Sequence, residues 1–151
     1  MFWQKDEYTI STDPLRLDIP YIHAWLSGRS YWAEGIPLET VIAAIRGSLC
    51  FGVYLGDRQI GMARVITDKA TFGYLADVFI DEQYRGQGLS KWLMDTILSH
   101  PELQGLRNWL LLTKDAHGLY ARSGFGPHAY PERIMIKSDP DIYKRYRPAT
   151  E

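Results

Sequence analysis

The chain has 151 residues, 46% hydrophobic and 13% aromatic, enough apolar material for one packed domain over 1–151 and too little for two of ordinary size. Its 17 basic and 18 acidic residues leave a net charge of −1, with both signs interspersed. That balance lacks the electrostatic footprint of a nucleic-acid or anionic-membrane binder, and small partners are expected. No apolar run is long enough to span a membrane, and no basic region followed by an apolar stretch opens the chain, so a cytoplasmic location is expected. The one cysteine, Cys50, excludes an internal disulfide framework; between Leu49 and Phe51 it reads as a buried structural thiol. His23, His100 and His128 are scattered without metal-ligand spacing, and no metal is expected.

In chain order, Tyr8–Thr12 alternates as a short strand and is broken by Asp13-Pro14. Asp18 is placed to cap a helix carrying Pro20 in its first turn and Ile22, Trp25 and Leu26 on one face, with Gly28 as its left-handed terminator. An aromatic linker, Ser30–Ile36, leads to a second helix opened by Pro37, with Leu38, Val41, Ile42 and Ile45 at helical spacing and Gly47 behind them. Three antiparallel strands are predicted next, over Leu49–Leu55, Gln59–Thr67 and Leu75–Ile80. A helix from Leu89 follows, its inner face Leu89, Trp92, Leu93, Thr96 and Ile97, ended by His100-Pro101. The near-continuous apolar run Asn108–Thr113 reads as a strand covered on both faces, one crossover helix downstream of the Val78 strand and hence parallel to it. Asp115 is placed to cap a short helix over Ala116–Ser123. Ile134-Met135-Ile136 reads as a last strand, and Asp139-Pro140 opens a short helix through Tyr146 with a polar tail beyond.

Between the Val78 strand and the following helix lies Gln83-Tyr84-Arg85-Gly86-Gln87-Gly88-Leu89. Two glycines let the backbone turn tightly and come close to an anion, while the free N–H groups and positive dipole end of the helix face it. Arg85 adds a charge. A phosphate cradle is the physical reading. The loop lacks the Gly-Lys-Ser/Thr ending of a Mg-nucleotide site, and no lysine follows Gly88 until Lys91, which disfavours a phosphotransferase.

The pattern Gln83-x-x-Gly86-x-Gly88, after Asp77-Val78-Phe79-Ile80 and before an apolar helix, resembles the acetyl-CoA signature of the GNAT acetyltransferase superfamily. Leu119-Tyr120-Ala121-Arg122-Ser123-Gly124-Phe125 is similar to its second signature, and the element order matches over nearly the whole chain. The resemblance implies an α/β (α+β) fold with about four helices around a mixed sheet, an antiparallel N-terminal meander leading to a splayed central parallel pair. It also implies N-acetyl transfer from acetyl-CoA (coenzyme A) to a small-molecule amine or amino-acid-like substrate, in a ternary complex.

Under this resemblance the amides of Arg85, Gly86, Gln87, Gly88, Leu89 and Ser90 meet the pyrophosphate, and the pantetheine arm lies along Val78 and Ile80 with the thioester near Phe79. Tyr120 becomes the general acid. Asp77, opposite Val78 and Ile80 by strand alternation, is the candidate base, a loop-fixing role being the competing reading. His117 stands where many relatives have asparagine and is assigned to the cofactor; Arg122 is placed to reach a cofactor phosphate. Tyr31, Trp32 and Tyr130 are expected around the acceptor, where aromatic walls suit an amine. A non-catalytic acyl-CoA-binding module or a peptide acetyltransferase is the alternative. Aromatic residues near the ends, Phe2, Trp3, Tyr143 and Tyr146, allow a homodimer.

Overall fold

Six strands pair in the order in which the chain makes them, β1 (Phe2–Lys5), β2 (Tyr8–Ser11), β3 (Leu49–Leu55), β4 (Arg58–Thr67), β5 (Phe72–Ile80) and β6 (Asn108–Leu111). The computed structural model describes residues 1–146, so the polar tail lies outside the described residues. All neighbours are antiparallel except β5 and β6, which run parallel, joined by the crossover helix α3 (Leu89–Leu98). Helices α1 (Ile19–Arg29) and α2 (Leu38–Arg46) lie between β2 and β3 in the chain, and α4 (His117–Ala121) follows β6. No helix is long and apolar enough to cross a membrane.

Two apolar layers sandwich the sheet. Leu75 and Ile80 pack with Leu89, Leu93, Met94 and Ile97 of α3 on one face, while Met62, Cys50 and Phe79 pack with Ile22, Trp25 and Leu26 of α1 and Val41 of α2 on the other. That Leu75 and Phe79 face opposite layers needs an extra residue, since strict alternation would put them together. Met62 pairs with Phe79 but Arg64 with Ala76, so Ala63 faces two residues, Asp77 and Val78. Asp77 takes φ 52°, a left-handed conformation that aspartate tolerates better than most side chains. This β-bulge turns Asp77 toward the α1–α2 side with Phe79, leaving Val78 and Ile80 toward α3.

Several local expectations change in the folded chain. β1 was not anticipated: the chain reverses at Asp6 (φ 52°), and Trp3 covers Phe51 and His100 with ring centroids 6.2 and 5.8 Å away. Asp18 caps α1 as expected, accepting from the Tyr21 N–H at 3.0 Å, but Gly28 does not end it. The helix runs through Arg29 and is closed by Ser30, whose hydroxyl donates to the Leu26 carbonyl and accepts from the Ala33 N–H, a side-chain bond that makes a left-handed glycine unnecessary. Asp115 makes no capping bond to α4; Thr113 Oγ1 accepts from the Ala116 N–H instead, and the helix is shorter than predicted. Residues 109–113 are covered on one face only, with Leu112 63% exposed on the other. Ile134–Ile136 joins no sheet among the described residues, and only a 3-10 turn at Ile142–Lys144 stands where the terminal helix was expected.

Candidate active site

β5 and β6 are paired only from Phe72–Asn108 to Leu75–Leu111. Beyond that point β5 continues through Ala76–Ile80 along β4, while β6 ends, so among the described residues the last five residues of β5 keep one edge without a strand partner. The parallel pair thus opens at its carboxyl end, where ligands bind in open α/β sheets. A cavity of about 1020 Å³ fills the opening, bounded by Ala76–Ile80, by Leu112–Ala116 beyond β6, by Tyr120, and by Trp25, Arg29, Tyr31 and Trp32 from the α1 side. A second cavity of about 200 Å³, lined by Arg85, Gly86, Gly88, Lys91 and Arg122, adjoins it through the shared Ile80, Arg85, Ser90 and Leu119.

The glycine loop shapes this smaller cavity. Gly86 and Gly88 have φ of 78° and 76°, and a Cβ at either would meet no atom within 4 Å. Glycine is therefore required by the backbone turn and the open approach to the loop, not by packing. Gly88 is the N-cap of α3, so the first-turn N–H groups at Leu89 and Ser90 have no intrahelical acceptors and open toward the cavity. Arg85 is steadied by donating from Nε to the Ile80 carbonyl at 3.1 Å. Tyr8 donates its hydroxyl to Gln87 Oε1, fastening the loop to β2, a contact between residues 79 apart that no local pattern announces. Among the cations here, Lys91 is an addition to the expected set; its Nζ lies 2.7 Å from Asp95.

Tyr120 is 9% exposed and lines the larger cavity, and its hydroxyl has no hydrogen-bond partner among the described residues. Burial, reinforced by Tyr31 and Asp115, pushes its phenol up to about 12. Asp77 accepts from Trp32 Nε1 at 2.8 Å on one oxygen and from Arg64 Nε at 2.8 Å on the other. Arg64 in turn donates to Ser48 Oγ at 3.0 Å, tying the loop that carries Trp32 to β4 and the end of α2. Trp25 stacks on Phe79 (3.9 Å between centroids, 4° between planes), Trp32 tilts against Trp25, and Tyr31 meets Trp32 edge-on at 5.0 Å. The Lys114 N–H donates to the Tyr31 hydroxyl at 2.9 Å, bridging the two sides of the cavity.

The fold thus gathers Val78, Phe79, Ile80, Arg85, Ser90, Tyr120, Tyr31, Trp32 and Asp77 at one opening, with Gly86, Gly88, Leu89 and Arg122 at the adjoining cradle. His117 is exposed and lines neither cavity; as the first residue of α4 it is turned from the space that Ala116, Leu119 and Tyr120 border. Tyr130 is half exposed on the segment after α4 and lines neither cavity. Arg29 was missed: it binds Asp81 and Glu82 at 3.3 and 3.0 Å, fixing the end of α1 to the start of the glycine loop. Asp81, buried and also accepting from the Tyr21 hydroxyl at 3.2 Å, is the signal that could have found it, since a buried carboxylate needs donors. Among the described residues, no group of three His, Cys, Asp or Glu is placed to hold a metal ion.

Residues 19–125, which carry both cavities' principal residues, match the model of the acetyltransferase (GNAT) family. The chain belongs to that family. It is 34% identical over 143 residues to a Gibberella zeae protein named as an acetyltransferase, covering 80% of each chain. A GNAT-family structure from Xanthomonas campestris pv. campestris superposes with a TM-score of 0.89 at 50% identity, covering 93% of this GNAT chain and 99% of that one. An Elizabethkingia anophelis GNAT structure with acetyl-CoA bound shares the fold at 14% identity and a TM-score of 0.58, over 85% and 86% of the two chains.

Proposed function

We infer that this GNAT protein transfers an acetyl group from acetyl-CoA to the primary amine of a small or amino-acid-like molecule, with both substrates bound together. The observation that carries the reading is the shared opening. A glycine cradle for a pyrophosphate, a strand edge open to an amide-bearing arm and a tyrosine hydroxyl without a hydrogen-bond partner among the described residues all border connected space. Acetyl-CoA needs these three features in that order along its length. Arg85, Lys91 and Arg122 supply positive charge around the cradle. On the acceptor side, Lys114 lies 5.6 Å from the Tyr31 ring and forms no ion pair among the described residues, which suits an acceptor carrying a carboxylate.

In this mechanism the neutral amine attacks the thioester carbonyl carbon, the C–N bond forms, the C–S bond breaks and the electron pair leaves on sulfur. Tyr120 donates its O–H to that sulfur. Full proton transfer from a phenol near 12 to a thiolate of reference pKa about 8.5 is uphill by about 5 kcal/mol, so the hydroxyl acts chiefly by hydrogen bonding to the developing charge, and water supplies the proton that completes the thiol. The amine's proton leaves to solvent. Asp77, with both oxygens engaged by donors, serves to hold Trp32 and Arg64 in place.

The test is release of free thiol from acetyl-CoA across panels of small amines, amino acids, polyamines and peptides. Thiol release with the first two classes is expected; none with any class assigns the protein to acyl-CoA binding without turnover. For Asp77, asparagine keeps the bond to Trp32 and tolerates the left-handed backbone but removes the charge facing Arg64. Asp77→Asn is expected to lower stability by about 3 kcal/mol in a denaturant titration, the cost of stranding one partner of a mostly buried pair. It is also expected to raise the acceptor KM and leave the acidic limb of the pH–rate profile in place. Loss of that limb would restore Asp77 as the base.

A further inference from the structure

The larger cavity does not end at the reacting groups. On the α2 side it runs past Asp77 to Ile36, Thr40, Ala44, Arg64 and Tyr74. Thr40 and Ala44 stand one helical turn apart, so a single stripe of α2 forms this wall, and the sheet forms the facing one. Arg64 pairs with Ala76 and Ile66 with Tyr74, which puts Tyr74 diagonally beside Arg64 on the same face.

Polar groups here are left over once the fold's own bonds are made. Arg64 commits Nε to Asp77 and Nη1 to Ser48, while Nη2 makes no hydrogen bond among the described residues. The enclosed side-chain polar atoms that lack partners there are Trp25 Nε1 and Tyr54 Oη. Arg64 Nη2 is not among them, so it opens onto the cavity that Arg64 lines, and the hydroxyls of Tyr74 and Thr40 stand in the same condition. Burial, reinforced by Asp77, raises the Tyr74 phenol, which is therefore a neutral hydroxyl able to donate. The Arg64 side chain is only 14% exposed, and a guanidinium nitrogen so shielded calls for an acceptor. Charge narrows what that acceptor is. Arg64 and Lys114 balance Asp77 and Asp115 around this end of the cavity, which suits a molecule with one charge of each sign better than a polyamine or a phosphorylated amine.

We propose that Arg64 Nη2, with the hydroxyls of Tyr74 and Thr40, receives a carboxylate of the acceptor, so that the molecule acetylated is an aminocarboxylic acid lying with its carboxylate toward α2 and its amine toward Phe79. Asp77 then acts in specificity through Arg64: by holding Nε it fixes where Nη2 points. Lys114, exposed at the mouth, adds attraction that solvent screens. The placement of the amine rests on the acetyl-transfer reading, whereas the carboxylate site is a matter of binding and is tested as such.

The full chain saturated with coenzyme A is titrated by calorimetry with alanine, β-alanine, 4-aminobutanoate and lysine, each compared with its carboxamide, which keeps the amine and removes the negative charge. At least one acid is expected to bind about tenfold or more tightly than its carboxamide, as a hydrogen bond to a charged group implies. Arg64→Lys keeps a charge facing Asp77 but has no Nη2, and Tyr74→Phe/Thr40→Val removes both hydroxyls at similar shape; each is expected to narrow that preference about threefold or more. The double variant strands no buried charge, so it decides the matter if Arg64→Lys fails to fold. Acids that bind no better than their carboxamides, or a preference that survives the double variant, overturn the proposal. Thiol release from the same pairs separates the two readings. Transfer without preference for the acid overturns the carboxylate site alone, whereas preferential binding of the acid without thiol release keeps the site and overturns acetyl transfer.

Discussion

Tyr120→Phe is expected to lower turnover by about 10²–10³-fold while leaving the acetyl-CoA dissociation constant unchanged, the range seen when one donor to a developing negative charge is removed. Phenylalanine keeps the ring that packs against Phe125 at 6.2 Å, and the lost hydroxyl had no partner among the described residues, so the fold has no bond to lose. Steady-state rates by thiol release and affinity by calorimetry separate the two effects; equal turnover would reduce Tyr120 to a packing residue. The pH dependence has a definite sign. The neutral phenol is the donor and burial raises its pKa to about 12, so the rate carries no alkaline limb from Tyr120 until pH approaches that value. Tyr54, buried like Tyr120, is also pushed up to about 12. Because both folded-state values lie above the unfolded one, each contribution to stability is fully present below pH about 10 and is lost as pH rises toward 12. It amounts to about 2–3 kcal/mol for each tyrosine.

The second large effect is expected at the cradle. Gly88→Val forces a β-branched residue into a φ of 76° at the first N–H groups of α3, although its Cβ would meet no atom within 4 Å. The cost is therefore conformational, about 1–3 kcal/mol in the free protein, and the relaxed backbone no longer presents its N–H groups to a phosphate. Coenzyme A affinity is expected to fall more than tenfold by calorimetry, with the protein still folded at 25 °C by circular dichroism. Undiminished affinity would remove the loop from the cofactor site.

Much of this was legible from local pattern. Gly86, Gly88 and the apolar face of α3 are spaced by rules that act over one turn of chain, and the strand–helix–strand order fixes a parallel pair without reference to distant residues. The remainder depends on partners far apart. The carboxylate of Asp77 is engaged by Trp32 and Arg64, 45 and 13 residues away, and nothing in Ala76-Asp77-Val78 distinguishes a free base from an anchored one. Arg29 and Tyr8 reach the glycine loop in the same nonlocal way. Ile134–Ile136 carries a strand's composition and joins no sheet among the described residues, because a local pattern specifies an extended apolar segment and says nothing about where its neighbour lies.

The bulge at Asp77 has a consequence for anyone comparing or transplanting this strand. Phe72–Ala76 and Asp77–Ile80 obey the same two-residue alternation in opposite phase, so the segment behaves as two short strands spliced with a half-period offset. Deleting one residue there would restore a uniform phase and turn either the Leu75 side of the splice or the Phe79 side inside out. A graft into another scaffold must count backward from Ile80, not forward from Phe72, to keep the aromatic stack on one side and the α3 core on the other.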